Sequence, residues 1–255
     1  MRGTDAMGAP ESARAGAAAG RESALAAIRA DLRAKVDADL ARARYRDLAE
    51  GYDGTCRRIQ SIRAAAVAAL DLRPGQHVAD IACGTGATLP ALAHAVGVQG
   101  RVTGFELSPE MAAIASARIE AAGLTGRVRI IIGPVENMDA AEQFDAFLFC
   151  YTHDVLQSPQ SLSALAAAAR PGARIAVAGA RFLPWWWGFG INLFTAYRAR
   201  HYLTSYRGLG QPWRGLLDYV PGFHIIGTEH FGTSYLGTGT FVPQPKQSNL
   251  RKPSK

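Results

Sequence analysis

Cysteine is scarce in this sequence and is never paired. Only three cysteines occur among the 255 residues, Cys56, Cys83 and Cys150, and no C-x-x-C spacing joins them. Scattered cysteines argue against a disulfide framework and against a structural zinc site, so we expect no metal site. They favour a reducing compartment, and we predict that the protein is cytoplasmic.

A hydrophobic run long enough to span a membrane is missing as well. The most apolar stretch, 182–197, has about sixteen residues, whereas a transmembrane helix needs about twenty. The N-terminus lacks the uninterrupted apolar core of a signal peptide. With 48% hydrophobic and 19% charged residues, the chain has the composition of a soluble globular protein with one α/β domain.

Acidic residues are outnumbered by basic ones, which gives a formal net charge of +7. Such an excess would suit a nucleic-acid partner, but the sequence has no arginine-rich block and no nucleic-acid-binding motif. Part of the charge lies near the end of the sequence, at Arg251, Lys252 and Lys255. We therefore expect no nucleic-acid partner.

Strand-like and helix-like patterns alternate from residue 78 onward. Strands are predicted at 78–82, 101–106, 127–132, 144–150 and 173–178, and helices at 88–96, 109–122 and 159–169. This alternation predicts an α/β fold with a Rossmann-like, doubly wound and mostly parallel sheet. Two further β-like runs, 223–231 and 233–242, would complete seven strands as a C-terminal antiparallel hairpin that turns at Gly232.

Flanking regions surround this domain, which we place at 73–242. We predict a disordered leader at 1–20, N-terminal helices at 21–72, a Trp-rich insertion at about 182–212, a short helix at 213–219 and a disordered tail at 243–255. In the N-terminal helices, apolar residues recur every three or four positions, at Leu25, Ile28, Leu32, Val36 and Leu40.

One glycine turn stands between the first strand and the helix after it. Asp80 lies inside the strand and the turn reads Gly84-Thr85-Gly86, where glycine lets the backbone approach a ligand closely. Glu106 ends the second strand about twenty residues later, where an acid accepts hydrogen bonds from ribose hydroxyls. Polar side chains follow the third strand, at Glu136 and Asn137. Together these features predict an adenosine-binding crevice at the carboxyl edge of the sheet.

Two common adenosine ligands do not match this turn. The third glycine of a dinucleotide fingerprint is replaced by Leu89, and no Gly-Lys-Ser/Thr follows the turn as it would in a P-loop. The ligand is therefore neither a dinucleotide nor a nucleoside triphosphate of those types.

In this order and spacing, the motifs resemble those of class I S-adenosylmethionine-dependent methyltransferases, nearest the ubiquinone/menaquinone-type and small-molecule branch. The resemblance is carried by Val-Ala-Asp-Ile-Ala-Cys-Gly-Thr-Gly from Val78, by Gly-Phe-Glu-Leu-Ser-Pro-Glu-Met from Gly104 and by the loop at Glu136. Tyr-x-x-Leu-Ala-x-x-Tyr-Asp from Tyr45 is similar to the N-terminal signature of that branch, and the likeness covers about 45–180.

The resemblance implies S-adenosyl-L-methionine as cofactor, with the N-terminal helices as its cover. Asp80, Gly84 and Gly86 would border the methionine part, with backbone amides near its carboxylate, although Asp80 could instead cap the turn. Glu106 would bind the ribose, while Leu107 and Met111 pack on the adenine. The family's usual adenine-binding acid is replaced by Pro134, for which Glu136 or Asn137 could substitute. The other residues implied at the cofactor are Tyr52, Cys83, Thr85, Val135 and Cys150.

The sequence after the fourth strand, Tyr-Thr-His-Asp from Tyr151, supplies the candidate base. Methyl transfer requires in-line positioning and, for a weak nucleophile, removal of a proton. A histidine titrates near neutrality, and His153 is our candidate for that role. Tyr151 is the second catalytic candidate, and it could line the pocket or simply pack. The alternative is that His153 and Asp154 cap the next helix. The segment is not Asp/Asn-Pro-Pro-Tyr, which argues against methylation of nucleic-acid bases.

The Trp-rich segment is the best indication of the acceptor. Its aromatic residues favour a small hydrophobic or aromatic acceptor methylated at oxygen, nitrogen or carbon. The candidate substrate contacts are Trp185, Trp186, Trp187, His201 and Tyr202. The alternatives are a membrane contact, as in a quinone or phospholipid methyltransferase, and a buried helix or a subunit contact. Monomer and homodimer both remain open. A non-catalytic adenosine-binding scaffold is the alternative of another class.

Overall fold

The computed structural model describes residues 38–242. The predicted leader, the predicted tail and the helical pattern from Leu25 to Val36 lie outside the described residues. The helices are α1 (Ala38–Leu48), α2 (Tyr52–Thr55), α3 (Gln60–Ala69), α4 (Leu89–Ala95), α5 (Pro109–Ala121), α6 (His153–Leu156), α7 (Pro159–Ala168) and α8 (Trp185–Ala199). The strands are β1 (His77–Ile81), β2 (Arg101–Glu106), β3 (Val128–Ile132), β4 (Phe144–Cys150), β5 (Ala169–Ala180), β6 (His224–Glu229) and β7 (Ser234–Thr240).

The seven strands form one sheet in the order β3-β2-β1-β4-β5-β7-β6. The first five are parallel, and β7 is antiparallel to both β5 and β6. The chain order reverses between β1 and β4, which is the switch point where doubly wound sheets bind ligands. The predicted fold class, including the antiparallel C-terminal strands, is confirmed.

Apolar side chains cover both faces of the sheet. Along β1, Val78 packs in one buried cluster with α3, α4 and α5, while Ala79 and Ile81 pack in the other with α7. Alternate residues of a strand point to opposite faces, so a strand buried on both sides needs an apolar run such as that of β4. Both faces of the sheet are therefore covered by helices, and a ligand can reach the sheet only at the ends of its strands.

Two predicted elements differ in extent. β5 begins at Ala169 rather than Ala173, because Ala169 pairs with Phe144 before the Pro171-Gly172 turn shifts the register. The predicted helix at 213–219 is a short 3-10 turn, Arg214–Asp218, which contains the poor helix former Gly215.

α3 runs antiparallel to the central strands, so its first turn lies at the carboxyl edge of the sheet. Arg174, near the start of β5, donates from Nη2 to the carbonyl of Ala69 at the end of α3, at 3.1 Å. The opposite end of α3 therefore lies at the carboxyl edge of the sheet. α1 lies near the same edge, where Arg46 Nε is 3.0 Å from Glu110 Oε1 of α5.

Within residues 38–242, no helix has both the length and the hydrophobicity needed to cross a bilayer. The same residues contain no group of three or more His, Cys, Asp or Glu side chains that could hold a metal ion.

Candidate functional site

The glycine turn between β1 and α4 is tightly packed. Gly84 and Gly86 have φ angles of +58° and +73°, in the left-handed region that favours glycine. A Cβ on Gly86 would lie 2.8 Å from Leu89 Cδ1 and 2.9 Å from Ala115 Cβ. Both conformation and space thus require glycine at position 86.

Asp80 stabilises this turn from inside the protein. Its buried carboxylate accepts a hydrogen bond from the Thr88 hydroxyl at the start of α4. Burial raises the pKa of Asp80 to about 7, although the Thr88 hydrogen bond opposes that rise. The geometry therefore matches the alternative in which Asp80 caps the turn.

Glu106 joins the turn to the end of β2. Its Oε2 accepts from the Gly84 N–H and its Oε1 from the Ser108 N–H, each at 2.8 Å. Burial raises the pKa of Glu106, and the backbone hydrogen bonds from Ser108, Gly84 and Leu107 oppose the rise. A carboxylate has about four acceptor positions, so Glu106 retains capacity for two hydroxyl donors.

The backbone amides of the turn are largely engaged by the protein itself. Cys83 N–H donates to the Phe105 carbonyl at 2.9 Å, and Gly86 N–H donates to the Cys83 carbonyl at 3.0 Å. With Gly84 N–H on Glu106, the two glycine amides implied near a cofactor carboxylate both have internal acceptors. A carboxylate at this edge would therefore find neither glycine amide free.

Two adjoining cavities open at the carboxyl edge, with volumes of about 110 Å³ and about 690 Å³. Both cavities are lined by Ala82, Leu107, Asp154 and Val155. The cavities therefore adjoin at the ends of β1 and β2 and at the start of α6. The larger volume lies in the usual range for small-molecule sites, roughly 300–1,000 Å³.

Most of the residues predicted from sequence lie at these cavities. The first is lined, among others, by Tyr52, Gly84, Glu106, Leu107, Met111, Cys150, Tyr151, His153 and Tyr202. The second is lined by Val135 and Glu136 together with the start of α7. The predicted residues that line neither are Asp80, Cys83, Thr85, Gly86, Asn137, Trp185, Trp186, Trp187 and His201.

Two of the predicted cofactor residues, Cys83 and Glu136, have structural partners within the protein. Cys83 is buried and packs over Gly104, where a Cβ would lie 2.8 Å from Cys83 Sγ. Glu136 reaches the second cavity, but its Oε1 accepts from the hydroxyls of Ser158 at 2.9 Å and Ser161 at 2.5 Å. Partial burial favours a higher pKa for Glu136, but these hydroxyls hold it below the ordinary value.

The segment after α1 covers the glycine turn. The ring of Tyr52 lies 3.9 Å from the position a Cβ on Gly84 would take. Asp53 Oδ1 accepts from Thr85 Oγ1 at 2.6 Å, and its other oxygen pairs with Arg118 of α5. Partial burial favours a higher pKa for Asp53, but the hydrogen bonds from Thr85 and Arg118 keep it below the usual value.

Three tyrosines line the first cavity and contact one another; we call them the tyrosine cluster. Tyr52 lies edge-on to both Tyr45 and Tyr202, with centroids 6.1 Å apart in each pair. Tyr45 also donates from its hydroxyl to the Tyr202 carbonyl at 3.1 Å. Because Tyr45 belongs to α1 and Tyr202 follows α8, the cluster joins the two segments that flank the domain.

His153 and Asp154 do not cap α6. His153 Nε2 is 2.8 Å from the Arg207 carbonyl, which can only accept, so this nitrogen carries the proton and buried Nδ1 is an acceptor without a partner. Burial lowers the pKa of His153 to about 4, although the Arg207 hydrogen bond opposes this. Asp154 Oδ2 accepts from Thr204 Oγ1 at 2.6 Å, while its buried Oδ1 has no partner among the described residues. Burial raises the pKa of Asp154.

The residues just after β1 and β4 are held in the left-handed conformation. Ala82 and Tyr151 have φ angles of +51° and +61°, which is uncommon for residues other than glycine. Each such residue costs on the order of 1–3 kcal/mol and is found most often at functional sites. The Tyr151 hydroxyl lies 2.9 Å from Ser234 Oγ, and burial raises the pKa of Tyr151 to about 12.

α8 turns its aromatic residues away from the cavities. Trp185, Trp186 and Trp187 are 59%, 85% and 56% exposed, because the helix packs through the small stripe Gly188, Asn192 and Ala196. A Cβ on Gly188 would lie 2.4 Å from Leu183 Cβ. The tryptophans thus stand where they do not meet a molecule in either cavity. His201 is also exposed, and of the five predicted substrate contacts only Tyr202 lines a cavity.

Two polar side chains at this edge carry no sequence signal of ligand binding: half-buried Asp154, which the sequence indicates only as a possible cap, and buried Arg63 of α3. Arg63 is buried, and its Nη1 has no hydrogen-bond partner in the described part of the chain. An arginine between Ile62 and Ala66, both on the buried face of α3, is the signal that could have indicated its burial.

The unpartnered polar atoms suit an adenosyl amino acid. Glu106 has acceptor capacity for ribose hydroxyls, Leu107 and Met111 supply apolar surface, and Arg63 carries a positive charge without a hydrogen-bonded partner at Nη1. These are the complements of a ribose, a purine and a carboxylate. The residues present therefore fit S-adenosylmethionine.

Residues 78–172 match the family model described as a methyltransferase domain. A probable cobalt-precorrin-6B C(15)-methyltransferase (decarboxylating) of Thermoplasma acidophilum is 33% identical over 87 residues, which are 34% of this chain and 43% of that protein. A demethylmenaquinone methyltransferase of Bacillus cytotoxicus is 40% identical over 55 residues, 22% of this chain and 23% of that protein. The chain thus spans less than half the length of these curated relatives.

Solved structures share the fold at low sequence identity. A SAM-dependent O-methyltransferase from Thermotoga maritima has a TM-score of 0.53 and 17% identity, covering 74% of this chain and 67% of that one. An O-methyltransferase family protein from Burkholderia thailandensis has a TM-score of 0.57 and 16% identity, covering 76% and 59%. At such identities the likeness is one of fold.

Proposed function

Since the chain carries a class I S-adenosylmethionine-dependent methyltransferase domain, we propose that it transfers a methyl group from S-adenosylmethionine to a small, largely hydrophobic or aromatic acceptor. The observation that carries this proposal is the meeting of the glycine turn, Glu106 and two adjoining cavities at one edge of the sheet. The cofactor, when bound, supplies a methyl group activated by a sulfonium leaving group.

In this proposal, the chain's own residues bind and orient. Glu106 receives the ribose hydroxyls, and Leu107 and Met111 pack on the adenine. Tyr52 shields the turn from water, and the tyrosine cluster encloses the acceptor on the side of α1. The aromatic rings and the neighbouring side chains of Ala41 and Leu203 make this side of the first cavity apolar, which favours an apolar acceptor.

A hydroxyl or amine acceptor must lose a proton. Thr152, His153 and Asp154 line the first cavity and each has a buried polar atom without a partner in the described part of the chain, but only the His153 imidazole and the Asp154 carboxylate can serve as a base. The low pKa of His153 keeps its ring neutral but makes it a weak base, whereas burial makes the Asp154 carboxylate more basic than usual. We therefore assign proton removal to Asp154 Oδ1 and orientation of the acceptor to His153 Nδ1, in place of the base role first considered for His153.

Cofactor binding is the first test of this function. Titration calorimetry should detect binding of S-adenosylhomocysteine to the wild type, and Glu106→Ala should weaken it by about 100-fold, because two hydrogen bonds to a charged acceptor are lost. The exposed Glu120 of α5 offers a matched control as Glu120→Ala. If the wild type does not bind the nucleoside, the proposed function is wrong.

The acceptor is then sought by turnover. A screen with radiolabelled cofactor should cover phenols, quinones, aliphatic amines and lipids, with product extraction into organic solvent. Transfer to an apolar phenol or quinone is the expected result. Transfer only to charged, water-soluble amines would contradict the acceptor class while leaving methyl transfer intact.

The exposed face of α8 favours a second candidate property, association with an anionic membrane surface. Seven large side chains are exposed there and form what we call the α8 face: Trp185, Trp186, Trp187, Phe189, Leu193, Phe194 and Tyr197. Arg198 lies 5.8 Å from the Phe194 ring and Arg200 lies 3.8 Å from the Tyr197 ring, so cations border the aromatic surface. Tryptophan and arginine together suit the headgroup region of anionic lipid.

Such docking would place the catalytic edge near the bilayer. The chain continues from α8 directly to Tyr202 and Leu203, which line the first cavity. A membrane-dissolved acceptor would then enter beside the tyrosine cluster. Because the three cysteines are free, we propose the cytoplasmic side of the membrane as the location.

Flotation with vesicles tests this association. Wild-type protein should float with vesicles of phosphatidylglycerol and phosphatidylcholine, float less with phosphatidylcholine alone, and stay unbound when Trp185, Trp186 and Trp187 are all replaced by alanine. The control variant is Trp213→Ala, which alters a partly buried tryptophan outside α8. A concentration-dependent dimer that dissociates in the triple variant, without flotation of the wild type, would assign the face to a second copy instead.

A further inference from the structure

The turn between β6 and β7 carries the most exposed large apolar side chain within residues 38–242. Phe231 is 87% exposed, more than any side chain of the α8 face. Both Phe231 and the preceding His230 are in the left-handed region, with φ angles of +57° and +51°. Two consecutive left-handed residues other than glycine are uncommon, and such backbone is found most often where it serves a function. The turn therefore holds an aromatic ring in water at a conformational cost.

Hydrogen bonds on both sides of Phe231 hold this turn in place. Thr233 Oγ1 donates to the His230 carbonyl at 2.7 Å, and Arg181 Nε donates to the Gly232 carbonyl at 2.8 Å. The backbone N–H of Arg181 also donates to the Thr233 carbonyl at 2.7 Å. The exposed ring thus stands on a turn whose backbone is fixed by its neighbours.

The turn lies beside the first turn of α8. Leu183, just before α8, contacts both elements. Its Cδ2 lies 3.3 Å from the position that a Cβ on Gly232 would take, and its side chain also packs against Gly188 of α8. Phe231 adjoins Gly232 in the chain, so it extends the aromatic surface of the α8 face onto a second element.

The same turn lies at the carboxyl edge of the sheet, where both cavities open. Ser234, the first residue of β7, pairs with Ala180, the last residue of β5. The turn just before Ser234 is therefore level with the carboxyl end of β5. The first turn of α3 reaches the same place, because Ser61 Oγ donates to Glu229 Oε2 at the end of β6, at 3.0 Å.

Positive charges surround this exposed ring. Arg57 and Arg58 are exposed and stand just before α3, whose first turn is joined to the end of β6 by the contact of Ser61 with Glu229. Arg181 adds a third positive charge at the turn itself. An exposed aromatic ring bordered by arginines is complementary to the headgroup region of anionic lipid.

We propose that Phe231 is a second contact with the anionic bilayer and that, together with the α8 face, it sets the orientation of the domain on the membrane. The inference rests on the membrane association proposed for α8. A single helix lying in the interface would let the domain rotate about the helix axis, whereas a contact from a different element prevents this rotation. The two contacts together turn the carboxyl edge and its cavities toward the lipid.

Flotation of the full chain over a range of lipid concentrations tests the proposal. Phe231→Asn removes the ring and keeps the turn, because asparagine tolerates the left-handed conformation. It should weaken binding to vesicles of phosphatidylglycerol and phosphatidylcholine by about tenfold, as expected for partial burial of one phenyl ring. Phe231→Trp should bind at least as well as the wild type, since tryptophan suits the headgroup region.

The control for the ring is Val98→Asn, which removes an exposed apolar side chain between α4 and β2, at the opposite edge of the sheet. Its vesicle binding should equal that of the wild type. Phe231→Asn should also keep the wild-type unfolding temperature and affinity for S-adenosylhomocysteine, because the ring is exposed and lines neither cavity.

The basic residues are tested by charge removal. Replacing Arg57 and Arg58 together by glutamine should weaken binding to the anionic vesicles by about tenfold and leave binding to phosphatidylcholine alone unchanged, because each arginine near an anionic surface contributes electrostatically. Arg101→Gln is the control, since Arg101 is exposed at the start of β2, on the opposite edge. Equal losses in the Arg57/Arg58 variant and in Arg101→Gln would contradict the proposed orientation.

Several results would overturn the contact at Phe231. Unchanged vesicle binding in Phe231→Asn would remove it, and a loss in both Phe231→Asn and Phe231→Trp would mean that the turn and not the ring is required. A dimer that dissociates in Phe231→Asn, with vesicle binding unchanged, would assign the ring to a second copy. A wild type that binds S-adenosylhomocysteine but does not float would remove this inference and leave methyl transfer in place. A wild type that floats but does not bind the nucleoside would do the reverse.

Discussion

The carboxyl edge of the sheet and the α8 face differ in which side chains they bury: the edge buries polar groups, and the α8 face exposes large apolar ones. At the edge, polar groups are buried and hydrogen-bonded to one another, as in the contacts of Glu106 with Gly84 and Ser108. On α8, large apolar groups are exposed while the small residues Gly188 and Asn192 are buried. A buried polar group must keep its hydrogen-bond partners, so few arrangements of it are stable. An exposed apolar face has no such requirement within the protein, and its role depends on the surface that it binds.

We therefore expect substitutions at the edge to lower stability or activity strongly, and substitutions on the α8 face to have little effect on stability. We expect the largest effect from Gly86→Val, because a β-branched side chain would meet Leu89 and Ala115 in a left-handed conformation. Strain and overpacking together should cost about 3 kcal/mol or more, which denaturant unfolding can measure. Gly126→Ala is the control, since a Cβ there meets nothing within 4 Å. Equal stability of the two variants would contradict the tight turn.

The next effect concerns the rate of methyl transfer. Asp154→Asn should lower kcat by about 100-fold or more for a hydroxyl acceptor, with cofactor binding retained, because a general base is removed. The active form is the ionised carboxylate, so wild-type activity should fall as the pH drops through a pKa raised above 3.8. An acid limb near pH 4 that disappears in His153→Ala instead would assign the base to His153.

On α8, we expect substitution of the buried Asn192 to lower stability and substitution of the exposed Trp186 to leave it nearly unchanged. Asn192 accepts from Leu183 N–H at 2.7 Å and donates to the Leu183 carbonyl at 2.8 Å, both in a buried setting. Asn192→Ala leaves both groups without a partner and should cost about 1–3 kcal/mol of the free energy of unfolding. Replacing the exposed Trp186 by alanine should change it by less than about 0.5 kcal/mol. A comparable loss in both variants would show that the face is packed.

The last effect is a pH dependence of stability at the edge. The pKa of Asp80 is raised from 3.8 to about 7 in the folded protein, so the folded state binds more protons than the unfolded state between these values. The free energy of unfolding should therefore decrease as the pH rises from about 4 to about 7. Asp80→Asn should flatten this slope in chemical denaturation at several pH values. A steeper or unchanged slope would assign it to other groups.

The edge was also the more predictable region from the sequence. β2 and β4 begin and end where their apolar and β-branched runs do, and the spacing from Gly84 to Glu106 indicated an adenosine ligand. These features are local patterns that follow from strand periodicity and turn chemistry. Most of the residues predicted from such patterns line the two cavities.

Other features depend on contacts that no local pattern contains. Nη1 of Arg63 has no partner among residues 38–242 because Asp80 and Asp53 bond other groups, and the Gly84 and Cys83 amides are engaged because Glu106 and Phe105 accept from them. Likewise, the outward direction of the α8 face follows from the contact between Gly188 and Leu183. Sequence indicated an important aromatic segment there but not which way it points.

The backbone bond between Phe182 N–H and the Leu209 carbonyl, at 2.7 Å, has a consequence for how this protein can diversify. The chain leaves the domain at one point, forms α8 and the following loop, and returns to the same point. A segment closed in this way can change in length around α8 while the sheet keeps its geometry, but Thr204 and Arg207 within it hydrogen-bond Asp154 and His153 and must stay in place. Under the proposed function, grafting residues 182–209 between related domains, with these two contacts kept, would carry the α8 face and the Tyr202 side of the first cavity together.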